Sequence, residues 1–440
     1  MRKGKLFFIV SALLLTCFES SAQRMLTLQE AIATALQNNY EIQLSKNDSL
    51  VAALDYSYRN AVFLPTLNGN VSTVWNNNNQ RQTLADGTKR QQDGIKSHNS
   101  AASLNLDWTL FDGLRMFATR DKGEEYIRLG SLGVKSQVVN TVASVINTYY
   151  GIVRQKQQLK AVEEQISLNE ERVKLAQYKL DIGTGIKPDL LQSKVDLNAQ
   201  KALKLEQQTL IEQLKEQLNQ AMNITVETAI EVSDSIPLNT GIGLGDIQID
   251  IEKTNPLLLI AQKNLDISRL TLKERKADLW PTVQFNSAYN FSRTDNKAVI
   301  NPFSTLFNQT NGFNYGFTAS IPIFNQFASK RLIRQAQLDI NYQQLYFDNQ
   351  RSILNLNVIN SFKNYELQKK ALALEEENIL LARENVDIVF QTYRLGAATL
   401  VQLREAQISL SDAYNRLIAA RYNTKLAETE LMRLKGDLVK

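Results

Sequence analysis

The sequence predicts a mainly helical chain with a membrane β-barrel, built as two structural repeats. Each repeat supplies two barrel strands and a pair of long coiled-coil helices. Three observations predict this. Landmark residues recur 213–216 positions apart. Four segments of roughly ten residues alternate apolar and polar side chains, as barrel strands do. Leucine, isoleucine and alanine recur every seven residues, over stretches far longer than a mean helix of about 11–12 residues.

The duplication orders the rest. Asn39 and Asn255 each stand 26 residues before a proline, Pro65 and Pro281. "NAVFLPTLNGNVS" (60–72) parallels "KADLWPTVQFNSA" (276–288) at an offset of 216. Phe111 matches Phe324 and Gly183 matches Gly396, both at an offset of 213. The three-residue change falls between a helix end and a strand, where loops vary.

The chain opens with MRKGK, then LFFIVSALLLTCF, then ESSAQ. A basic region, an apolar region too short to span a bilayer and a small-residue cleavage site read as a signal peptide over 1–22. Cleavage is expected after Ala22. The single cysteine, Cys17, lies inside it, so the processed chain holds no disulfide. A second reading makes Cys17 a lipid-anchor site, although Thr16 before it gives a poor lipobox. The processed chain carries 47 basic and 44 acidic residues, too even a balance for a nucleic-acid partner. No later stretch reaches 18 continuous apolar residues, which leaves a barrel as the route into a membrane.

The first repeat, 23–222, is expected to begin with a helix over about 28–63. Strands follow at about 66–76 and 101–111, flanking a polar loop. A very long helix over 113–182, a glycine turn near 183 and a return helix over 188–222 complete it. Segment 223–250 is a linker of short alternating runs. The second repeat, 251–440, repeats the order: a helix over 256–279, strands at about 282–292 and 312–323, a long helix over 325–395, a turn near 396 and a return helix over 399–435. The prolines fit these borders. Pro65 and Pro281 end helices, because the residue before proline is pushed out of the helical region. Pro188 and Pro256 suit first turns. Pro237 falls in the linker, Pro302 in a loop and Pro322 near a strand end.

Each strand has an apolar face. Leu104, Leu106, Trp108 and Leu110 oppose Ser103, Asn105, Asp107 and Thr109. Phe313, Tyr315 and Phe317, continued by Ile321 and Ile323, oppose Asn314, Thr318 and Ser320. Val283, Phe285, Tyr289 and Phe291 form a third such face, and Leu67, Val71 and Trp75 a weaker fourth. Taken alone, this pattern also suits a soluble sheet with one dry face. Four strands cannot close a barrel, and open edges are not tolerated in lipid. A membrane reading therefore needs several copies sharing one barrel: two copies give a filled barrel of 8 strands, three give 12 strands and a lumen.

The helices carry heptads. Ile152, Leu159, Ile166, Val173 and Leu180 form one; Leu367, Leu374, Leu381, Ile388 and Leu395 another. The last helix shows Leu403, Leu410, Leu417 and Leu431, with Ala406, Ala413, Ala420 and Ala427 three or four residues away. In isolation such repeats read as a plain coiled-coil rod.

No enzyme constellation, cofactor motif or metal-ligand cluster is present. His98 is the one histidine and cannot build a zinc site alone. "GIGLG" (241–245) lacks the preceding strand and following helix of a nucleotide site and reads as linker.

With duplicated halves, the strand-end "TLFDG" and "PIFNQ" signatures and the "YRLGAATLVQLREAQISL" turn in order, the chain resembles the TolC-like outer-membrane efflux and secretion channels. The resemblance covers nearly all of the chain after residue 22. It implies a homotrimer: a 12-stranded barrel in the outer membrane of a Gram-negative bacterium, continuous with a periplasmic α-barrel. Segment 223–250 would join an equatorial domain. The implied function is the passive exit duct of a tripartite efflux pump or type I secretion system. Its partners would be a periplasmic adaptor and an inner-membrane pump or ABC exporter. In that family, carboxylates just past each tip glycine ring the periplasmic entrance. Six past Gly183 is Asp189; six past Gly396 is Gln402, and nine past is Glu405. Gln402 departs from the usual acid, and Gln192 is neutral where Glu405 is acidic. For Asp189 a helix-dipole role is an equal reading. Gly183, Thr184, Gly185, Gly396, Ala397 and Ala398 would meet the adaptor. Glycine there is also what a left-handed helix cap requires. The alternative class is a periplasmic coiled-coil scaffold without channel activity.

Overall fold

The structure, a computed structural model, describes residues 24–301 and 303–438. The expected signal peptide over 1–22, with Cys17, and Pro302 lie outside the described residues. In chain order the elements are β1 (Arg24–Leu26), α1 (Leu28–Asn38), α2 (Tyr40–Ser57), a 3-10 turn (Arg59–Phe63), β2 (Thr66–Thr83), β3 (Lys89–Phe111), α3 (Arg115–Asp181), α4 (Lys187–Met222), β4 (Ile230–Val232), the short helices α5 (Leu244–Gln248) and α6 (Ile251–Thr254), α7 (Pro256–Ala277), β5 (Thr282–Asn296), β6 (Phe307–Ser320), α8 (Ala328–Arg394) and α9 (Leu400–Lys435). They form two compact units. The sheet unit holds Ser49–Gly130 and Ala261–Phe347; the helical unit holds 24–48, 131–260 and 348–438.

In the sheet unit, four antiparallel strands run in the order β2-β3-β5-β6, leaving β2 and β6 as edges. The first hairpin is longer than the alternation indicated. Gln80–Thr83 pair with Lys89–Gln92 across a turn containing Gly87 at φ +83°. The expected polar loop over 76–100 is therefore mostly paired strand. Its pairing rests on backbone hydrogen bonds and needs no apolar face, so a reading based on alternation passed over it. Strand β5 likewise extends to Asn296. Strand β6 ends at Ser320, which leaves Ile321, Pro322 and Ile323 outside it.

The helix expected over 28–63 is broken at Asn39, whose backbone is extended. Its Oδ1 accepts from the N–H groups of Glu41 and Ile42, and its Nδ2 donates to the Ala221 carbonyl at 2.8 Å. Asn255 does the same, accepting from the Leu258 N–H and donating to the Leu434 carbonyl at 2.8 Å. Ala221 and Leu434 are themselves 213 positions apart. Each asparagine thus starts one helix and satisfies a terminal carbonyl of a return helix.

Helices α3 and α8 have 67 residues each, about 100 Å at ~1.5 Å per residue. In the helical unit, Val142, Val145, Tyr149, Ile152, Leu218 and Met222 pack with Ala31 and Ala35 of α1 and with Leu26, Ile230 and Val232 of the parallel β1–β4 pair. A second cluster joins α8 to α9 through Leu372, Ile379 and Val386 against Ala406, Leu410, Ala413, Leu417 and Ala420. The α9 leucine and alanine rows are buried. The α8 row Leu367, Leu374, Leu381, Ile388 and Leu395 is not: these residues are 58–84 % exposed. The row that packs within the chain is Tyr365, Leu372, Ile379, Val386 and Tyr393, all below 9 %. The leucine heptad belongs to another face of the same helix.

Charge ties β4 to α3 and α4. Glu231 receives Lys215 Nζ at 2.7 Å and Lys156 Nζ at 3.2 Å, and Lys156 also pairs with Asp234 at 2.6 Å. Burial alone would raise the Glu231 carboxyl, but the two ammonium groups outweigh it and hold it below 4.5. For the lysines burial works the other way and is again outweighed, so both sit above 10.5. A depressed carboxyl contributes stability above its unfolded value and loses it as pH falls through its folded value. Raised lysines lose theirs only as pH climbs past their folded values. Glu231→Gln is expected to lower the thermal midpoint at pH 7, at a cost of about 1–3 kcal/mol. It should also flatten the acid limb of a midpoint-against-pH curve below 4.5. An unchanged acid limb would show that another carboxylate dominates.

Candidate functional site

Two features concentrate the predicted site residues: the faces of the sheet and the tips of the helical hairpins. On the sheet, register aligns the apolar side chains into rows across all four strands. Gly69, Leu104, Tyr289 and Phe313 form one row; Leu67, Leu106, Ser287 and Tyr315 the next. Trp108, Phe285 and Phe317 form a third, with the Phe285 and Phe317 rings 5.2 Å apart. Leu104, Trp108, Leu110, Phe313, Tyr315 and Phe317 are exposed, while Leu106 is half-buried. Leu110 sits at a register shift between Thr109 and Phe111. The Trp108 indole N–H is satisfied by the Phe63 carbonyl at 2.8 Å.

The opposite face is polar and almost uncharged. Asn68, Asn70, Asn105, Asn286 and Asn314 line an open groove of about 400 Å³ around Asp107. Asp107 accepts from Asn286 Nδ2 at 2.8 Å. Following the register from Thr66 to Asn76, Ser97 to Thr109, Thr282 to Asn296 and Asn308 to Ser320, Asp107 is the one charged side chain on that face.

The two tips are built alike. Gly183 and Gly396 lie at φ +80° and +81°, a region that glycine enters without a Cβ clash. The Gly183 N–H donates to the Leu180 carbonyl and the Thr184 N–H to the Lys179 carbonyl; Gly396 donates to Tyr393 and Ala397 to Thr392. Each helix thus closes in a Schellman cap. The next residue separates them. The Gly185 N–H reaches the Lys179 carbonyl at 2.8 Å, and a Cβ there would meet Lys179 Cβ at 2.9 Å. Ala398, with that Cβ, holds its bond to Thr392 at 3.3 Å, a looser turn.

Past the tips, Asp189 and Gln402 hold the same third position of their helices. Thr399 and Gln402 form a capping box: Gln402 Oε1 accepts from the Thr399 N–H at 2.8 Å, and the Gln402 N–H donates to Thr399 Oγ1 at 3.3 Å. The Gln402 side chain is thereby committed to its own helix. In α4 the cap is Ile186, with no side-chain bond, and Asp189 supplies the charge in the first turn. Gln402 and Glu405 share an open groove of about 520 Å³ with Ala397 and Ala398; Asp189 lies on the other hairpin. The hairpins are tied together where Lys179 Nζ donates to the Tyr393 carbonyl at 2.8 Å and sits 3.8 Å above the Tyr393 ring. Burial, and then the charge of Asp189, push the Tyr393 phenol above its ordinary value.

A deeper tie escaped the sequence reading. Arg172 of α3 pairs with Asp196 of α4 at 2.5 Å and donates to Gln407 of α9 at 2.7 Å. Arg172 and Asp196 stand twelve residues either side of Thr184. That mirror spacing about a hairpin tip is the signal that could have found the pair. Among the described residues no group of side chains is spaced to hold a metal ion, and no helix is long and apolar enough to cross a membrane.

Comparison with known proteins agrees with this architecture. TolC of Escherichia coli K12 is 23 % identical over 194 residues, which is 43 % of this chain and 39 % of that protein. The aligned part thus spans well under half of that relative. The outer-membrane channel OprN superposes with a TM-score of 0.77 at 16 % identity, covering 93 % of this chain and 90 % of OprN. VceC of Vibrio cholerae gives 0.75 at 14 %, covering 93 % and 96 %. These likenesses show the fold. Residues 31–223 and 250–437, most of the chain, match the outer membrane efflux protein family. The chain belongs to that family and is a protein of the outer membrane.

Proposed function

We propose that three copies of this chain form a duct through the outer membrane that passively conducts small molecules or proteins. The observation that carries this is the sheet: four strands with an exposed apolar face and two unpaired edges, β2 and β6. In lipid such edges must be paired. Three copies pair them into 12 antiparallel strands with apolar side chains outward and asparagines lining a lumen. Each chain's two repeats, 23–222 and 251–440, then supply two strands and one helical hairpin apiece, and six hairpins wall a periplasmic α-barrel. The exposed Leu367–Leu395 heptad supports this, since it offers a seam for a neighbouring copy.

The tips form the periplasmic entrance in this reading. Asp189 and Glu405 supply its carboxylates, while Gln402 stands uncharged in a helix cap. Charged rings of this kind set which ions enter a pore. Gly183, Thr184, Gly185, Gly396, Ala397 and Ala398 offer an adaptor a surface of small residues. An inner-membrane pump or ABC exporter behind that adaptor would supply the energy, because the chain holds no nucleotide motif.

Planar-bilayer recording tests this. Detergent-extracted protein is expected to give discrete conductance steps. Asp189→Asn with Glu405→Gln is expected to raise conductance or weaken block by multivalent cations. Unchanged conductance and block would sink the entrance assignment, and a chain that purifies as a monomer without detergent would sink the duct. In the double-variant background, Asp107→Asn is expected to move the reversal potential in a KCl gradient toward zero, since it removes the one charge on the asparagine-lined face of the sheet.

A further inference from the structure

Inside the helical unit, α3, α4 and α9 line a partly open polar cavity of about 240 Å³. Arg172 lines it, 1 % exposed. Its partner Asp196 is fully engaged: Oδ2 faces Arg172 at 2.5 Å and Arg404 Nε at 3.4 Å, and Oδ1 accepts from Gln192 Nε2 at 2.8 Å. One carboxylate therefore serves two guanidinium groups, and one positive charge is left over. Asp412 at the rim is exposed and makes no ion pair among the described residues.

Three buried donors of cavity-lining residues have no protein acceptor: Arg172 Nε, Gln165 Nε2 and Gln407 Nε2. Gln165 and Gln407 are each 4 % exposed. The orientation of Gln407 is set, because its Oε1 accepts from Arg172. Buried donors are almost always satisfied in folded proteins. A water accepts at most two hydrogen bonds and must place two protons of its own, whereas an anion is an acceptor only and offsets the surplus charge. A cation would find a free carboxylate only at the rim, in Asp412, because Asp196 inside is already in use.

We infer that this cavity is a binding site for a small monovalent anion of the halide class, held by Arg172, Gln165, Gln407 and Arg404. The anion would tie the α3–α4 hairpin to α9. Cohesion of the two hairpins would then depend on which anions surround the protein, whatever the duct conducts.

The test uses the full chain in detergent, with sodium chloride exchanged for sodium gluconate at constant ionic strength. Gluconate, an organic anion with its charge on a hydrated carboxylate, is the reference for a non-halide. Chloride and bromide are expected to raise the thermal midpoint saturably, by about 3 °C. Arg404→Gln removes the surplus charge from a half-exposed position and should abolish the response. Gln407→Glu supplies an internal carboxylate beside Arg172. It should lose the response while melting no lower than the parent in gluconate. Equal parent midpoints in chloride and gluconate would overturn the site in favour of a water-filled cavity. An undiminished response in both variants would overturn it in favour of a general salt effect.

Discussion

Replacing Leu374 and Leu381 by aspartate is expected to leave a folded chain that no longer assembles. Both leucines lie on the α8 face that one chain leaves exposed, at 63 % and 58 %. The intrachain seam of Leu372, Ile379 and Val386 lies about 200° round the helix from them, at ~100° per residue, so neither charge enters that core. If a neighbouring copy covers the heptad, each leucine contributes about 1.5–3 kcal/mol of burial. Each aspartate would instead place an unpaired charge in the seam, repeated in every copy. Light scattering behind size exclusion in detergent should report a single-chain mass, with helical circular dichroism unchanged. A trimer that survives both substitutions would show that this heptad is not the seam between copies.

The same helix shows what the sequence made legible. Ile152, Leu159, Ile166, Val173 and Leu180 shift by the repeat offset of 213 onto Tyr365, Leu372, Ile379, Val386 and Tyr393, the row that packs within the chain. The row of four leucines and Ile388 is the greasier of the two, but the offset, carried through, selects the other. Both rows have the heptad period, so periodicity shows that two faces are apolar and not which face a single chain covers. Strand faces were legible because alternation leaves only two choices and register keeps them consistent across the sheet. The extension of the first hairpin was not, since polar residues paired in water give no alternating signal. At the tips, the glycines and the third-position residues were legible from spacing. The use of Gln402 as a cap partner followed from Thr399 three residues earlier, a capping-box pattern that a search for charge overlooked. Arg172 gives no local signal in the sequence, because its partners lie across a hairpin and on another helix.

The sheet faces permit a test in which adjacent residues should give opposite results. Phe313 lies in the row Gly69–Leu104–Tyr289–Phe313, with the apolar rows of Tyr315 and Phe317 to one side and that of Val71 and Phe291 to the other. It is 65 % exposed. On a lipid-facing strand, Phe313→Arg puts a guanidinium near mid-bilayer at a cost of about 2–4 kcal/mol per copy. Asn314 points to the face of Asp107 and the asparagines, so Asn314→Arg should cost little and turn the lumen toward anions. Outer-membrane fractionation is expected to recover the Asn314 variant near parental levels and to find the Phe313 variant depleted. On a soluble sheet the ordering would vanish or reverse, because arginine in place of an exposed phenylalanine removes an apolar patch from water. Equal recovery of the two variants would therefore sink the lipid-facing assignment of Leu104, Leu106, Trp108, Leu110, Phe313, Tyr315 and Phe317 together, since register fixes their faces jointly.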